Sequence, residues 1–214
     1  MVYSCMDAAI LPLPEEYAYS VAARLLAVQH AVAEITGGRK VDADPHALRE
    51  AIMQLRTAVK AVDGAYATFI GGLAVQNLGY ERWTDDVDVV VDAEHYGEVL
   101  DRLRAAGFTL KADFSLQNNQ TGAKLDLLKE GTVLKDSKFP LPHPSELGPN
   151  CGFASIAAII RLKLKAHRRQ DLADIVALLK TRLAEIDSLC ASVPEIYRQQ
   201  VKELAEEARR EAAP

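Results

Sequence analysis

Residues 86–91 read Asp-Val-Asp-Val-Val-Val. Side chains alternate faces along a strand, so this run sets Asp86 and Asp88 on one face and Val87, Val89 and Val91 on the other. The β-branched valines favour extended backbone and need a core to pack against. The two carboxylates lie roughly 6.5–7 Å apart at Cα and repel one another unless a cation sits between them. A hard divalent cation, Mg²⁺ first, is the natural partner for such oxygen ligands. The plain alternative is an edge strand with a solvated acidic face. Whatever the fold, one side of this strand must be buried and the charge on the other must be accommodated.

Two further features favour ligation. Gly71-Gly72 follows Tyr66–Ile70, an apolar run that reads as a short strand, and precedes Leu73–Leu78, which reads as a short helix. Glycines there let backbone amides approach a phosphate, and a helix N-terminus favours its charge. A tight turn is the plain alternative. Asp126 lies mid-strand in Lys124-Leu-Asp-Leu-Leu, on the face opposite to Leu125 and Leu127. Three carboxylates on adjacent strands make a two-metal phosphoryl-transfer site.

The flanking sequence is helical. Tyr17, Val21, Leu25, Val28 and Val32 recur at steps of three and four, and Gly37-Gly38 ends that helix. Leu48, Ile52, Leu55, Val59 and Val62 mark a second helix, from Asp44 or Pro45 to Gly64. Glu94–Ala106 buries Tyr96, Val99, Leu100 and Leu103, with Gly107 as its cap. Phe108–Phe114 and Lys124–Leu128 read as strands. From Gly131 to Gly152, Pro140, Pro142, Pro144 and Pro149 forbid regular structure. Helices are expected from Ser155 to about Arg169, Asp171 to Ile186 and Val193 to Arg210. The fold class is α+β, with N-terminal helices over 1–64, a catalytic core over 65–130, and a proline-rich loop and helical domain over 131–214.

Composition narrows the classes. With 49% apolar and 26% charged residues in 214, the chain is neither disordered, collagen-like nor a disulfide scaffold. Its net charge of −5 excludes a general nucleic-acid coater, so phosphate contact must come from a local basic patch or a metal. Cys5, Cys151 and Cys190 have no zinc spacing and read as reduced thiols of a cytoplasmic protein. No signal peptide is seen, and no run nears ~18 apolar residues, so no membrane is expected. The histidines at 30, 46, 95, 143 and 167 show no ligand spacing. His143, between two prolines, could face a cleft. Trp83 reads as packing at the strand entry.

Gly71-Gly72, a spacer of thirteen residues, Asp86-Val-Asp88-Val and a later Asp126 together resemble the DNA polymerase β-type nucleotidyltransferase superfamily. The form Arg82-x-Thr84-x-Asp86-x-Asp88 is similar to its minimal, AbiE-type toxin-like branch. So is Leu162-Lys-Leu-Lys-Ala-His-Arg-Arg-Gln-Asp-Leu-Ala-Asp-Ile. The resemblance implies a polymerase-β-like nucleotidyltransferase mixed sheet with flanking helices and a C-terminal helical domain. It implies transfer of an NMP from an NTP to an acceptor hydroxyl, releasing pyrophosphate. Asp86 and Asp88 would hold two Mg²⁺ ions; Asp126 would bind the catalytic one and help deprotonate the acceptor. Gly71 and Gly72 would cradle phosphates and Lys163 would neutralise the leaving pyrophosphate. Arg168 and Asp171 would shape the site. The acceptor would be tRNA or a small molecule, with an antitoxin protein as partner. An antibiotic-type small-molecule enzyme and a non-catalytic nucleotide-binding module are the alternatives. Many superfamily members carry Gly-Ser where this chain has Gly71-Gly72, so phosphate contact here must be through backbone.

Residue chemistry bears on the same helix. Ile156, Ile159 and Ile160 define its inward face, and Lys163 shares it. A buried ammonium needs an anionic partner, which a triphosphate would supply; a lysine snorkelling at the rim is the alternative. Arg161, Lys165 and Arg168 form an outward stripe with Arg169 beside it, either an RNA surface or a solvated face. Asp171, with Asp174 three residues on, reads as an N-cap. Arg82 and Thr84 either contact phosphate or acceptor, or tie the loop down.

Overall fold

A computed structural model describes residues 45–80, 84–135, 137 and 139–213. The helix expected over Tyr17–Val32 lies outside them, as do Cys5, His30, Arg82 and Trp83. The α+β class is observed. Six strands form one mixed sheet: β1 (Ala67–Phe69), β2 (Asp86–Val91), β3 (Phe108–Ala112), β4 (Ser115–Asn118), β5 (Lys124–Lys129) and β6 (Gly152–Phe153). Their order is β3-β4-β5-β2-β1-β6. β2 is antiparallel to β1 and parallel to β5. Parallel neighbours need a long crossover, and helix α3 (Tyr96–Ala105) with the β3–β4 hairpin supplies it.

Both faces of the sheet are covered. Val87, Val89 and Val91 pack with Phe69, Leu125 and Leu127 beneath α1 (Pro45–Lys60) and α3. Leu48, Leu55, Val59 and Val62 supply the expected stripe of α1 and its C-terminal turn. Each fully buried side chain of this kind is worth about 1.5–3 kcal/mol. Val90, which shares a face with Asp86 and Asp88, is fully buried too. It meets Ile70, Leu128, Ala74 and Val75 of α2 (Gly71–Asn77), and Ile159 of α4 (Ile156–Ala166). The aspartate face is thus polar at one end and apolar at the other. A third cluster, including Ile160, Leu164, Ile175, Leu179, Leu189 and Val201, joins α4 to α5 (Arg169–Lys180), α6 (Ile186–Ser192) and α7 (Glu195–Ala212).

Three expectations are corrected. Phe108–Phe114 is not one strand: the chain turns at Asp113-Phe114 and returns as β4, with Leu116 buried, because Asp favours a turn. The proline-rich segment is strapped to β1 rather than wholly irregular. Cys151 N donates to Ala67 O (2.7 Å), Ala154 N to Phe69 O (2.8 Å), and Thr68 Oγ1 to Pro144 O (2.9 Å). Gly152-Phe153, past the last proline, keeps the N–H groups that pairing requires. The helix expected over 171–186 starts earlier and stops at Lys180, where Thr181 Oγ1 donates to Leu178 O. Cys151 and Cys190 are free thiols. Among the described residues no helix is long and apolar enough to cross a membrane.

Candidate active site

The parallel register of β2 on β5 sets Asp88 opposite Asp126. Asp86, two residues earlier, shares the face of Asp88. The three carboxylates, all half-buried, each offer an oxygen within 4.8 Å of the others. Burial and the charge of Asp86 push the Asp126 carboxyl above its ordinary range, against a hydrogen bond from Ser115. Three hard oxygen donors this close, repelling one another without a counter-charge, fit a divalent cation of the Mg²⁺ type.

Local packing holds the carboxylates in place. Thr84 is buried, and its Oγ1 donates to Asp86 Oδ1 at 2.9 Å. This hydroxyl therefore orients a carboxylate. Gly71 has φ +65°, and a Cβ there would collide with the Asp88 carboxylate. At Gly72 a Cβ would come within 2.6 Å of Thr84 Oγ1. Both glycines are thus demanded by the acidic cluster itself, a reason the turn pattern alone does not reveal.

Lys163 is buried, as its helical position implies, which excludes the rim-snorkelling alternative. Its anionic partners are the chain's own: Nζ lies 3.2 Å from Asp171 Oδ1 and 2.5 Å from Asp174 Oδ2. Asp171 sits inside the first turn of α5 rather than at the N-cap, because the helix opens at Arg169. Its Oδ2 accepts from Arg168 N (3.3 Å) and Arg168 Nε (2.7 Å). Burial works to raise the Asp171 carboxyl, but the Arg168 hydrogen bond and the Lys163 charge outweigh it and leave it lowered. A lowered carboxyl contributes stability that is complete above the unfolded value and is lost as pH falls through the folded one. Thermal melts below about pH 4 should therefore lose stability more steeply in the wild type than in Asp171→Asn; parallel curves would show that Asp171 carries no such linkage. Asp174, fully buried, also accepts from Gln170 Nε2 at 3.1 Å.

The outward basic stripe does not form. His167 takes a left-handed conformation (φ 54°) and ends α4, so helical spacing does not carry on to Arg168. Arg161 donates to Glu146 O at 3.1 Å. Lys165 turns inward, with Nζ 5.5 Å from the centroid of the Phe139 ring. A cleft of about 220 Å³ results between the carboxylate face and α4. Gly71, Asp88, Asp126, Lys163, Arg168 and Asp171 all line it. Asp86, Gly72 and Thr84 do not line it; Thr84 touches both Asp86 and Gly72. Lys165, expected on the outward stripe, and Phe139, which no motif marks, line the cleft as well. His143 does not line it: its Nδ1 meets Ser145 Oγ at 2.7 Å and its ring tilts on Tyr66.

No family model matches the sequence, and no curated protein does. Solved structures resemble it loosely. One is the crystal structure of ANT(2")-Ia in complex with adenylyl-2"-tobramycin, at 16% identity and TM-score 0.40, over 77% of this chain and 98% of that one. Another is the Cid1 poly(U) polymerase, at 15% identity and TM-score 0.32, over 67% of this chain and 40% of that one. A third is the STING-associated CdnE c-di-GMP synthase from Capnocytophaga granulosa, at 10% identity and TM-score 0.31, over 78% and 80%. Likenesses this loose carry no weight on function; the chemistry below rests on the geometry of the chain itself.

Proposed function

We propose that this chain is a Mg²⁺-dependent nucleotidyltransferase that moves an NMP from an NTP to an acceptor hydroxyl. The observation that carries the reading is the convergence of Asp86, Asp88 and Asp126, with Asp88 and Asp126 lining a cleft beside Gly71. Two Mg²⁺ ions on these carboxylates would neutralise charge at the transferred phosphoryl group and lower the pKa of the attacking hydroxyl. Thr84 holds Asp86 in a fixed orientation, which avoids reorganisation during reaction. In this reading a carboxylate oxygen of Asp126 takes the hydroxyl proton. The backbone at Gly71 and Gly72 meets phosphate oxygens, and Lys163, paired with Asp171 and Asp174, and Arg168, paired with Asp171, shape the facing wall. Arg82, two residues before Thr84 in the sequence, is a phosphate or acceptor contact in this reading.

An RNA acceptor such as tRNA, a toxin-type role with an antitoxin protein as partner, and a cytoplasmic location complete the proposal. The run from Leu162 to Ile175, similar to the motif of the toxin-type branch, supports the toxin-type role. A small-molecule acceptor of the antibiotic type is the second reading, favoured by the limited cleft volume of about 220 Å³. Incubation with each α-labelled NTP, Mg²⁺ and either total tRNA or a panel of hydroxyl-bearing small molecules decides. Label on one acceptor with stoichiometric pyrophosphate is the expected result. If no label moves to any acceptor, the enzyme reading is lost and a nucleotide-binding module replaces it.

A further inference from the structure

Phe139 is a large aromatic side chain left 42% exposed. Its backbone is nonetheless well fixed. Phe139 N donates to Ser137 Oγ, and Ser137 Oγ donates back to Phe139 O. Pro140 bridges to Val133, and Leu141 N donates to Thr132 O at 2.9 Å. An apolar ring left this exposed keeps an unfavourable hydration that burial would relieve. Above it lies the Lys165 ammonium. Among the described residues Lys165 makes no ion pair, whereas Lys163 is neutralised by Asp171 and Asp174, and Arg168 by Asp171. Burial and the neighbouring Arg161 already work against its charge. A partly desolvated cation resting on an aromatic face gains about 0.5–1 kcal/mol from that contact, less than a phosphate oxygen offers it.

We propose that Lys165 and Phe139 form a nucleotide clamp within the cleft: a nucleobase stacks on Phe139 while a phosphate of the same nucleotide pairs with Lys165. The proposal rests on the nucleotidyltransferase reading above. Flat ring beside fixed cation is the pairing by which proteins hold a nucleotide without reading its sequence. Phe114, Leu134, Leu141 and Leu162 add apolar surface to the same cleft. The charges discriminate too. Outside the metal triad, Asp171 is the one acidic residue among the described cleft-lining residues, and it is already engaged by Lys163 and Arg168. A polycationic aminosugar would find no acidic wall and would meet Lys165 instead.

The nucleotide so held is either the donor NTP or the terminal nucleotide of an RNA acceptor. Binding measurements separate the two. A fluorescent non-hydrolysable NTP analogue with Mg²⁺, a short labelled single-stranded RNA and kanamycin are each titrated into wild type, Phe139→Ala, Lys165→Gln, Lys165→Glu and Asp88→Asn. Loss of about tenfold in affinity in both Phe139→Ala and Lys165→Glu for the analogue assigns the clamp to the donor; the same loss for the RNA assigns it to the acceptor. Lys165→Gln falls between, and kanamycin binding to the wild type is undetectable. Unchanged affinity for both nucleotide ligands in both variants, or tight kanamycin binding, overturns the clamp. If the variants are silent while Asp88→Asn still weakens the Mg²⁺-dependent analogue, the clamp fails and the nucleotidyltransferase reading stands. If the wild type binds neither ligand, both fail.

Discussion

Asp88→Asn should lower nucleotide transfer on the order of a thousandfold while leaving the fold intact. Asp88 faces Asp126 across the β2–β5 pairing and closes over Gly71. Asparagine keeps that shape and removes only the charge. The informative measurement is the shift in melting temperature on adding Mg²⁺. Ligand binding to the folded state stabilises the wild type in proportion to the logarithm of concentration over Kd; the variant should show little or none of it. Activity within tenfold of wild type, or an undiminished Mg²⁺ shift, would remove Asp88 from the site.

Lys163→Met should destabilise the chain by about 3–5 kcal/mol. The ammonium sits between Asp171 and Asp174, side chains that are 2% and 0% exposed. Methionine fills the volume of the lysine stem but leaves two buried carboxylates without their shared counter-charge. Arg168 still serves Asp171 and Gln170 still serves Asp174, which sets the upper end of that range out of reach for Asp171 alone. Adding Asp174→Leu to the methionine variant should restore much of the loss, because a buried pair replaced whole by apolar groups is close to neutral. Urea unfolding midpoints check both steps. A loss under about 1 kcal/mol in the single variant would mean the pair behaves as a solvated surface bridge.

Much of the site is legible in local sequence because its chemistry is local. Alternation along Asp86–Val91 sets the carboxylate face, Gly71-Gly72 marks the turn behind it, and Asp126 stands out among leucines. The burial of Lys163 follows from three isoleucines at helical spacing. Its partners do not, because they come from the next helix, beyond a His167 whose left-handed backbone has no signature in the residue type. The same break redirects Lys165 and undoes the stripe that an uninterrupted helix would carry. β4 and β6 are too short and too polar to show as strands. Ser115–Asn118 is held by pairing on both sides, and Gly152-Phe153 by the edge of β1, so their extended state is a tertiary effect rather than a propensity.

The pairing of β2 with β5 also governs when the chemistry becomes available. A slip of one residue along β5 would carry Asp126 to the side of Leu125 and Leu127, and the oxygen cluster would be broken. The two strands are joined through α3 and a hairpin, so their union is a non-local event of the kind that folds slowly. A chain still emerging during synthesis, or one partly unfolded by heat, holds all three aspartates and yet lacks the cluster they form. On the nucleotidyltransferase reading proposed above, transfer would therefore report on completed folding, and a misregistered molecule would be inactive.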